Sequence, residues 1–187
     1  MTTRLVPAVS VVLLVLATPL VAQLTSEIET QKLIAVSSSL SANTGYSMDL
    51  QGDWLVAGAF ADASGYVDQG SVRVFHWNGA KWLEVDKLWA AEGGAFDYFG
   101  KEVSLDGDAL VVGAFQNDFG TPNQGMAYAF RFQGGRFVEE QNLFPSGVSV
   151  SLSYGGLVAV SDDRAFVYGG FDGSPGLHAQ AARFVFP

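Results

Sequence analysis

The sequence of 187 residues contains no cysteine. Disulfide scaffolds, thiolate metal sites, CxxC redox motifs and cysteine nucleophiles are therefore excluded. Histidine is almost as scarce, with only His76 and His178, so a centre built from several imidazoles is not expected. Basic side chains are few: Lys+Arg is 10 against Asp+Glu at 19, a formal net charge of -9. A surface of that sign repels nucleic-acid phosphates, no basic patch offsets it, and no nucleic-acid partner is expected. Charged residues make up only 16% while hydrophobic ones reach 49%, which is too apolar for a disordered chain. The 22 glycines and 6 prolines follow no collagen period and point to many short elements joined by turns.

No apolar run is long enough to read as a membrane span. The longest, Val9–Ala17, lies in MTTRLVPAVSVVLLVLATPLVA (1–22) and has the length of a signal-peptide core behind a single basic residue, Arg4. Ala22 is the expected last residue before cleavage, although Leu20 stands where a small residue is usual. A retained anchor is the competing reading. Residues 1–22 are thus read as a signal peptide and 23–187 as one domain, exported to the periplasm, the cell surface or the medium, with no transmembrane span after processing.

The domain repeats. TGYSMDLQGDWLVAGAF (44–60) and FGKEVSLDGDALVVGAF (99–115) agree at nine of seventeen positions, 55 residues apart. The framework pairs include Gly45/Gly100, Leu50/Leu105, Asp53/Asp108, Gly58/Gly113 and Phe60/Phe115. QGSVRVF (69–75) over QGMAYAF (124–130), and Leu33, Leu88 and Leu143, keep the same register, so this is a true repeat. A third copy is worn. SVSLSYGGLVAV (149–160) resembles SLDGDALVVG about 47 residues on, implying a loss before this hairpin, and AARFVF (181–186) resembles GSVRVF. A second register sets AFVY (165–168) over AYAF (127–130). The units are about 45–90, 100–145 and 148–187.

Within a unit the pattern is all β. VSLDGDALVVGAF is two strands around an aspartate–glycine turn. GMAYAFRF forms a third strand, and KWLEVDKL or RFVEEQNL a fourth whose charges suit an outer position. The expected fold is a series of four-stranded antiparallel blades that stack to bury their faces, a partial or incomplete β-propeller-like array. TSEIETQKLIA (25–35) sits in fourth-strand phase, so the domain is expected to start on a fourth strand and end near a third.

FGKEVSLDGDALVVGAF, GMAYAFRFQGGRFVEE and AAEGGAFDYFG resemble the FG-GAP repeat, the blade unit of integrin-α-type propellers and of many secreted bacterial proteins. Phe99-Gly100 and Gly113-Ala114 carry the likeness, with Phe115 where proline is common; in the first unit it rests on Gly45-Tyr46 and Gly58-Ala59-Phe60. The resemblance implies a propeller blade and is nearly silent on activity. Several such blades bind calcium through an aspartate-rich loop between the first two strands. Here that loop holds Asp49, Gln51 and Asp53, or Asp106, Gly107 and Asp108, too little for a cation that takes six to eight oxygens. Turn carboxylates capping their own amides are the preferred reading. Asp62, Asp68 and Asp118, in the longer loops between strands two and three, are the weak metal candidates. No cofactor is expected.

Catalytic signatures are missing: there is no G-x-S-x-G elbow, H-E-x-x-H helix or Walker loop. His76 is read as a half-exposed strand end and His178 as a loop residue. Glu139-Glu140 and Asp162-Asp163 are adjacent, so in a strand they point to opposite faces. Trp54 and Trp89 have no tryptophan counterpart in the second unit and could line a binding surface as well as a local core. The preferred function is a non-enzymatic module for protein or glycan interaction or scaffolding. A hydrolytic, carbohydrate-active propeller fragment and a degenerate fragment are the alternatives. The offset ends suggest a homodimer that shares its blades.

Overall fold

A computed structural model describes residues 31–36, 39, 41–118, 120, 122–144, 153–170 and 177–183, the last stretch by its backbone only. All of these belong to one unit of contacts, residues 31–187. The signal-like segment and residues 25–30 lie outside the described residues.

Eleven strands and no helix are found among the described residues. The first unit is a four-stranded antiparallel sheet in the order β1 (Met48–Gln51), β2 (Trp54–Ala59), β3 (Ser71–Trp77) and β4 (Trp82–Leu88). The second repeats it with β5 (Glu102–Asp106), β6 (Ala109–Ala114), β7 (Met126–Gln133) and β8 (Arg136–Leu143). The third shows β9 (Leu157–Ser161), β10 (Arg164–Gly170) and β11 (Leu177–Arg183). The likeness extends to irregularities: the third and fourth strands slip register between Val74 and Phe75 and again between Ala129 and Phe130.

Each inner hairpin turns on a residue in the left-handed region, where glycine carries no Cβ penalty. Gly52 (φ 56°) and Gly107 (φ 60°) do this in the first two units, and Asp162 (φ 52°) in the third. Aspartate is among the few side chains that tolerate that conformation.

The third unit departs from both registers expected of it. LVAV (157–160) forms its first strand, not its second, and AFVY (165–168) lies in the second strand, not the third. The offset of 55 therefore holds through Tyr154-Gly155, which stand where Phe99-Gly100 stand one unit earlier. Gly100 N–H donates to Gly113 O (3.0 Å) and Gly155 N–H to Tyr168 O (3.0 Å) in the same way. The missing residues fall between the second and third strands, where 171–176 replace the longer 60–70 of the first unit. At the other end Lys32 and Leu33 form no strand, but the chain around them keeps the fourth-strand phase: Val36 N–H donates to Glu84 Oε2 (2.7 Å) as Ala91 N–H does to Glu139 Oε2 (3.3 Å) one repeat later.

The sheets stack face to face, and each interface has its own core. Val56, Val72, Val74 and Leu88 of the first unit pack against Phe99, Val103, Leu105, Leu110, Val112 and Phe130 of the second. Val111, Ala127, Ala129 and Leu143 on the opposite face of the second unit pack against Tyr154, Ala165 and Val167 of the third. Fully burying one such aliphatic side chain contributes about 1.5–3 kcal/mol. The fold is all-β, an array of stacked antiparallel sheets.

Candidate interaction surface

Between consecutive units the inner strands lie side by side but do not form a β-ladder. Polar side chains of one strand instead accept the edge N–H groups of the next. Val103 N–H donates to Ser47 Oγ (3.0 Å), Leu105 N–H to Asp49 Oδ2 (2.8 Å) and Gly107 N–H to Gln51 Oε1. One unit later Val160 N–H donates to Ser104 Oγ (3.1 Å) and Asp162 N–H to Asp106 Oδ2 (2.7 Å). The amide of Asp162, with the Gln51 side chain, holds the Asp106 carboxyl below its ordinary range. These carboxylates thus reach across to the next unit instead of only capping their own turn. Sequence reasoning missed the arrangement because partners are 56 residues apart, one position out of phase with the repeat. The alternation Ser47, Asp49, Gln51 was the available signal.

The glycine framework sits at the same junctions. A Cβ on Gly58 would stand 2.0 Å from Gly100 O, and one on Gly113 would stand 1.9 Å from Gly155 O. Parallel bridges Gly70–Phe99 and Gly125–Tyr154 complete each contact. Phe99 is fully buried and packs edge-on against Tyr128 at 5.3 Å. In the third unit Tyr154 takes that place, and burial pushes its hydroxyl up to about 12. Tyr46 does not: it follows Gly45 and is 57% exposed. Leu50, Leu105, Phe60 and Phe115 complete the framework. Leu105 is in the core, while Phe60, Tyr98 and Phe115 form a row with Tyr46 beneath the ammonium of Lys101, which is 3.9 Å from the Tyr46 ring centre and 4.4 Å from that of Phe60. Asp53 and Asp108 sit at the inner turns, their carbonyls accepting Trp77 N–H (2.8 Å) and Phe132 N–H (2.7 Å). Asp108 also pairs with Arg131, which lowers its carboxyl.

The weak metal candidates do not converge. Asp62 is buried, and its Oδ2 lies 2.8 Å from Lys87 Nζ and 3.0 Å from Arg73 Nη2. Burial would raise this carboxyl, but hydrogen bonds from Lys87, Ser71 and the Ser39 N–H hold it well below the usual range. Its charge is spent on the protein's own cations. Asp68 adopts a positive φ of 50° and its carbonyl accepts Tyr98 N–H at 3.2 Å. Asp118 Oδ1 accepts Asn123 N–H at 2.8 Å. Among the described residues no three His, Asp or Glu side chains are grouped to hold a metal ion.

His76 packs on Trp54 at 4.4 Å with the rings tilted by 49°, and Trp54 in turn packs on Phe132 of the second unit at 4.6 Å; the side chain of His178 lies outside what the structure describes. Trp89 is half exposed at a groove of about 280 Å³ that also includes Phe137 and Glu139. Burial raises the Glu139 carboxyl and the charge of Glu92 adds to it.

The surface that stands out is the outward face of the first unit. Met48 and Leu50 are 62% and 58% exposed, whereas Val103 and Leu105, one repeat later, are 5% and 6%. The difference is that the first unit covers the second, whereas the described residues ahead of the first unit reach it at Trp82, Glu84 and Asp62 and leave Met48 and Leu50 exposed. At the opposite end Leu157 and Phe166 are 56% and 42% exposed. Isolated apolar side chains at a surface need no explanation, but a face whose equivalents form a core does.

No helix among the described residues is long and apolar enough to cross a membrane. No curated protein matches the chain at a significant level. Residues 82–130, from the fourth strand of the first unit through most of the third strand of the second, match the family described as the FG-GAP repeat, and within them Phe99-Gly100 and Gly113-Ala114 stand where consecutive units touch.

Proposed function

We propose that the chain is an exported, non-catalytic interaction module that offers the outward face of its first unit to a protein. FG-GAP repeats are typically non-catalytic and often serve protein interaction. The observation that carries the reading is the contrast between exposed Met48 and Leu50 and their buried equivalents Val103 and Leu105. An exposed apolar sheet face beside the edge strand β1 suits another polypeptide better than a sugar, which needs convergent polar groups.

A photoreactive residue placed at Met48, in the cells that make the protein, should yield a discrete cross-linked protein adduct. The same residue at Val103 should yield cross-links only within the chain. Absence of any adduct at Met48 would remove the reading. Export rests on the apolar Val9–Ala17 run. Protein recovered outside the cytoplasm should begin at Gln23; an intact Met1 on all of it would replace cleavage with a retained anchor.

A further inference from the structure

The partner of the first unit's outward face, we infer, is the outward face of the third unit in a second copy of this chain. The inference rests on the reading of the first face as a binding surface and deepens it by naming the occupant. Its warrant is continuity: the same two kinds of face already meet twice within the chain, in the same register. The 55-residue offset then specifies which residues would meet in a third contact of that kind.

In the first internal contact Trp54 packs on Phe132 at 4.6 Å and, edge-on, near Phe137 at 6.2 Å. Two repeats after Trp54 stands Arg164, whose side chain is 80% exposed. One repeat before Phe132 and Phe137 stand Trp77 and Trp82, half-buried and 5.6 Å apart. The register therefore sets the Arg164 guanidinium on a tryptophan pair, a favourable cation–π contact. Phe166 takes the place of Val56 and meets the level of Met48 and Leu50. Exposed Leu157 extends the same apolar strip.

The polar groups are compatible too. Ser161 stands where Gln51 and Asp106 stand, so its hydroxyl can accept the Gly52 N–H of the second copy. Ala159 stands where Asp49 stands and cannot accept. Leu50 N–H has no need of it, because it already donates to its neighbour Asp49 Oδ1 at 2.8 Å. Such a contact is head-to-tail, and it closes into a ring or continues as an open row according to the rotation it imposes.

Light scattering of the full chain, followed from micromolar to millimolar concentration, should show assemblies of two or more copies. Leu50→Asp and Arg164→Glu, both at exposed positions, should each weaken assembly by about tenfold or more while leaving the melting temperature of the monomer unchanged. The Met48 adduct should have twice the mass of the chain, with the cross-link in 157–166. A chain monomeric throughout, or assembly indifferent to both substitutions, overturns the inference. A Met48 adduct with a different protein overturns it while leaving the interaction reading in place. No adduct at all overturns both.

Discussion

Gly113→Ala should destabilise the domain by at least about 3 kcal/mol, at the upper end of overpacking changes. The new methyl carbon would stand 1.9 Å from Gly155 O and 2.9 Å from the carbon that bears it. Backbone on both sides means no flexible side chain can yield. Relief requires the second and third sheets to part, which exposes the core of Val111, Ala127, Tyr154 and Val167. Gly58→Ala should behave alike, with Gly100 O at 2.0 Å. Gly134→Ala is the control: its φ of 63° is left-handed but nothing lies within 4 Å, so only the conformational penalty of about 1–2 kcal/mol applies. Denaturant midpoints of the three variants decide it. A Gly113→Ala protein no less stable than Gly134→Ala would mean that the units do not touch through these backbones.

The second large effect is expected at Asp62. Its Oδ2 accepts from Ser71 Oγ (2.7 Å), Lys87 Nζ (2.8 Å) and Arg73 Nη2 (3.0 Å), and its Oδ1 from Ser39 N–H (3.1 Å). Arg73 is fully buried and retains Glu84 at 2.9 Å as a second carboxylate. Asp62→Ala leaves buried Arg73 with Glu84 alone and takes from Lys87 the carboxylate it pairs with, a loss of about 3–5 kcal/mol for a broken buried pair. The second unit has neutral side chains at the two equivalent positions, Asn117 and Tyr128, 3.3 Å apart, with Asp97 Oδ2 accepting from Asn117 at 2.7 Å. The double variant Asp62→Asn, Arg73→Tyr lacks that third partner, because Ala42 stands where Asp97 does, and should regain only part of the loss.

The same carboxyl makes a pH prediction. Its folded value lies below the ordinary 3.8, so its contribution is fully present above about pH 4 and disappears as pH falls through the folded value. The stability gap between the wild type and Asp62→Asn should narrow in acid below pH 4. A gap of constant size down to pH 2 would show that the charge on Asp62 is not what stabilises the cluster.

Much of the fold could be read in advance because a repeat states its own alignment. The Asp-Gly turns, the alternation in KWLEVDKL and the in-phase phenylalanines each correspond to an observed strand or core position. Phe75 and Phe130 are both 3% exposed. The third unit hides its register for a specific reason: Tyr154 replaces the phenylalanine of the motif and Asp162 replaces the turn glycine. Without those markers, LVAV matches the second strand of its predecessor better than the first, which it forms. The ion cluster around Arg73 was illegible because the equivalent residue, Tyr128, is uncharged, so the repeat gave no hint that a charge is buried there. The outward face could not be seen at all from the pattern. Met48 and Leu50 have the same character as Val103 and Leu105, and only the stacking distinguishes covered from bare.

Inside each sheet, amides bond to carbonyls, which do not titrate. Across the junctions side-chain acceptors, Ser47, Asp49, Gln51, Ser104 and Asp106, stand beside carbonyls: Gln69 O accepts Phe99 N–H (2.8 Å) and Gln124 O accepts Tyr154 N–H (2.9 Å). Proton uptake by Asp106 therefore opens one latch at the second joint and leaves the carbonyl latch beside it closed.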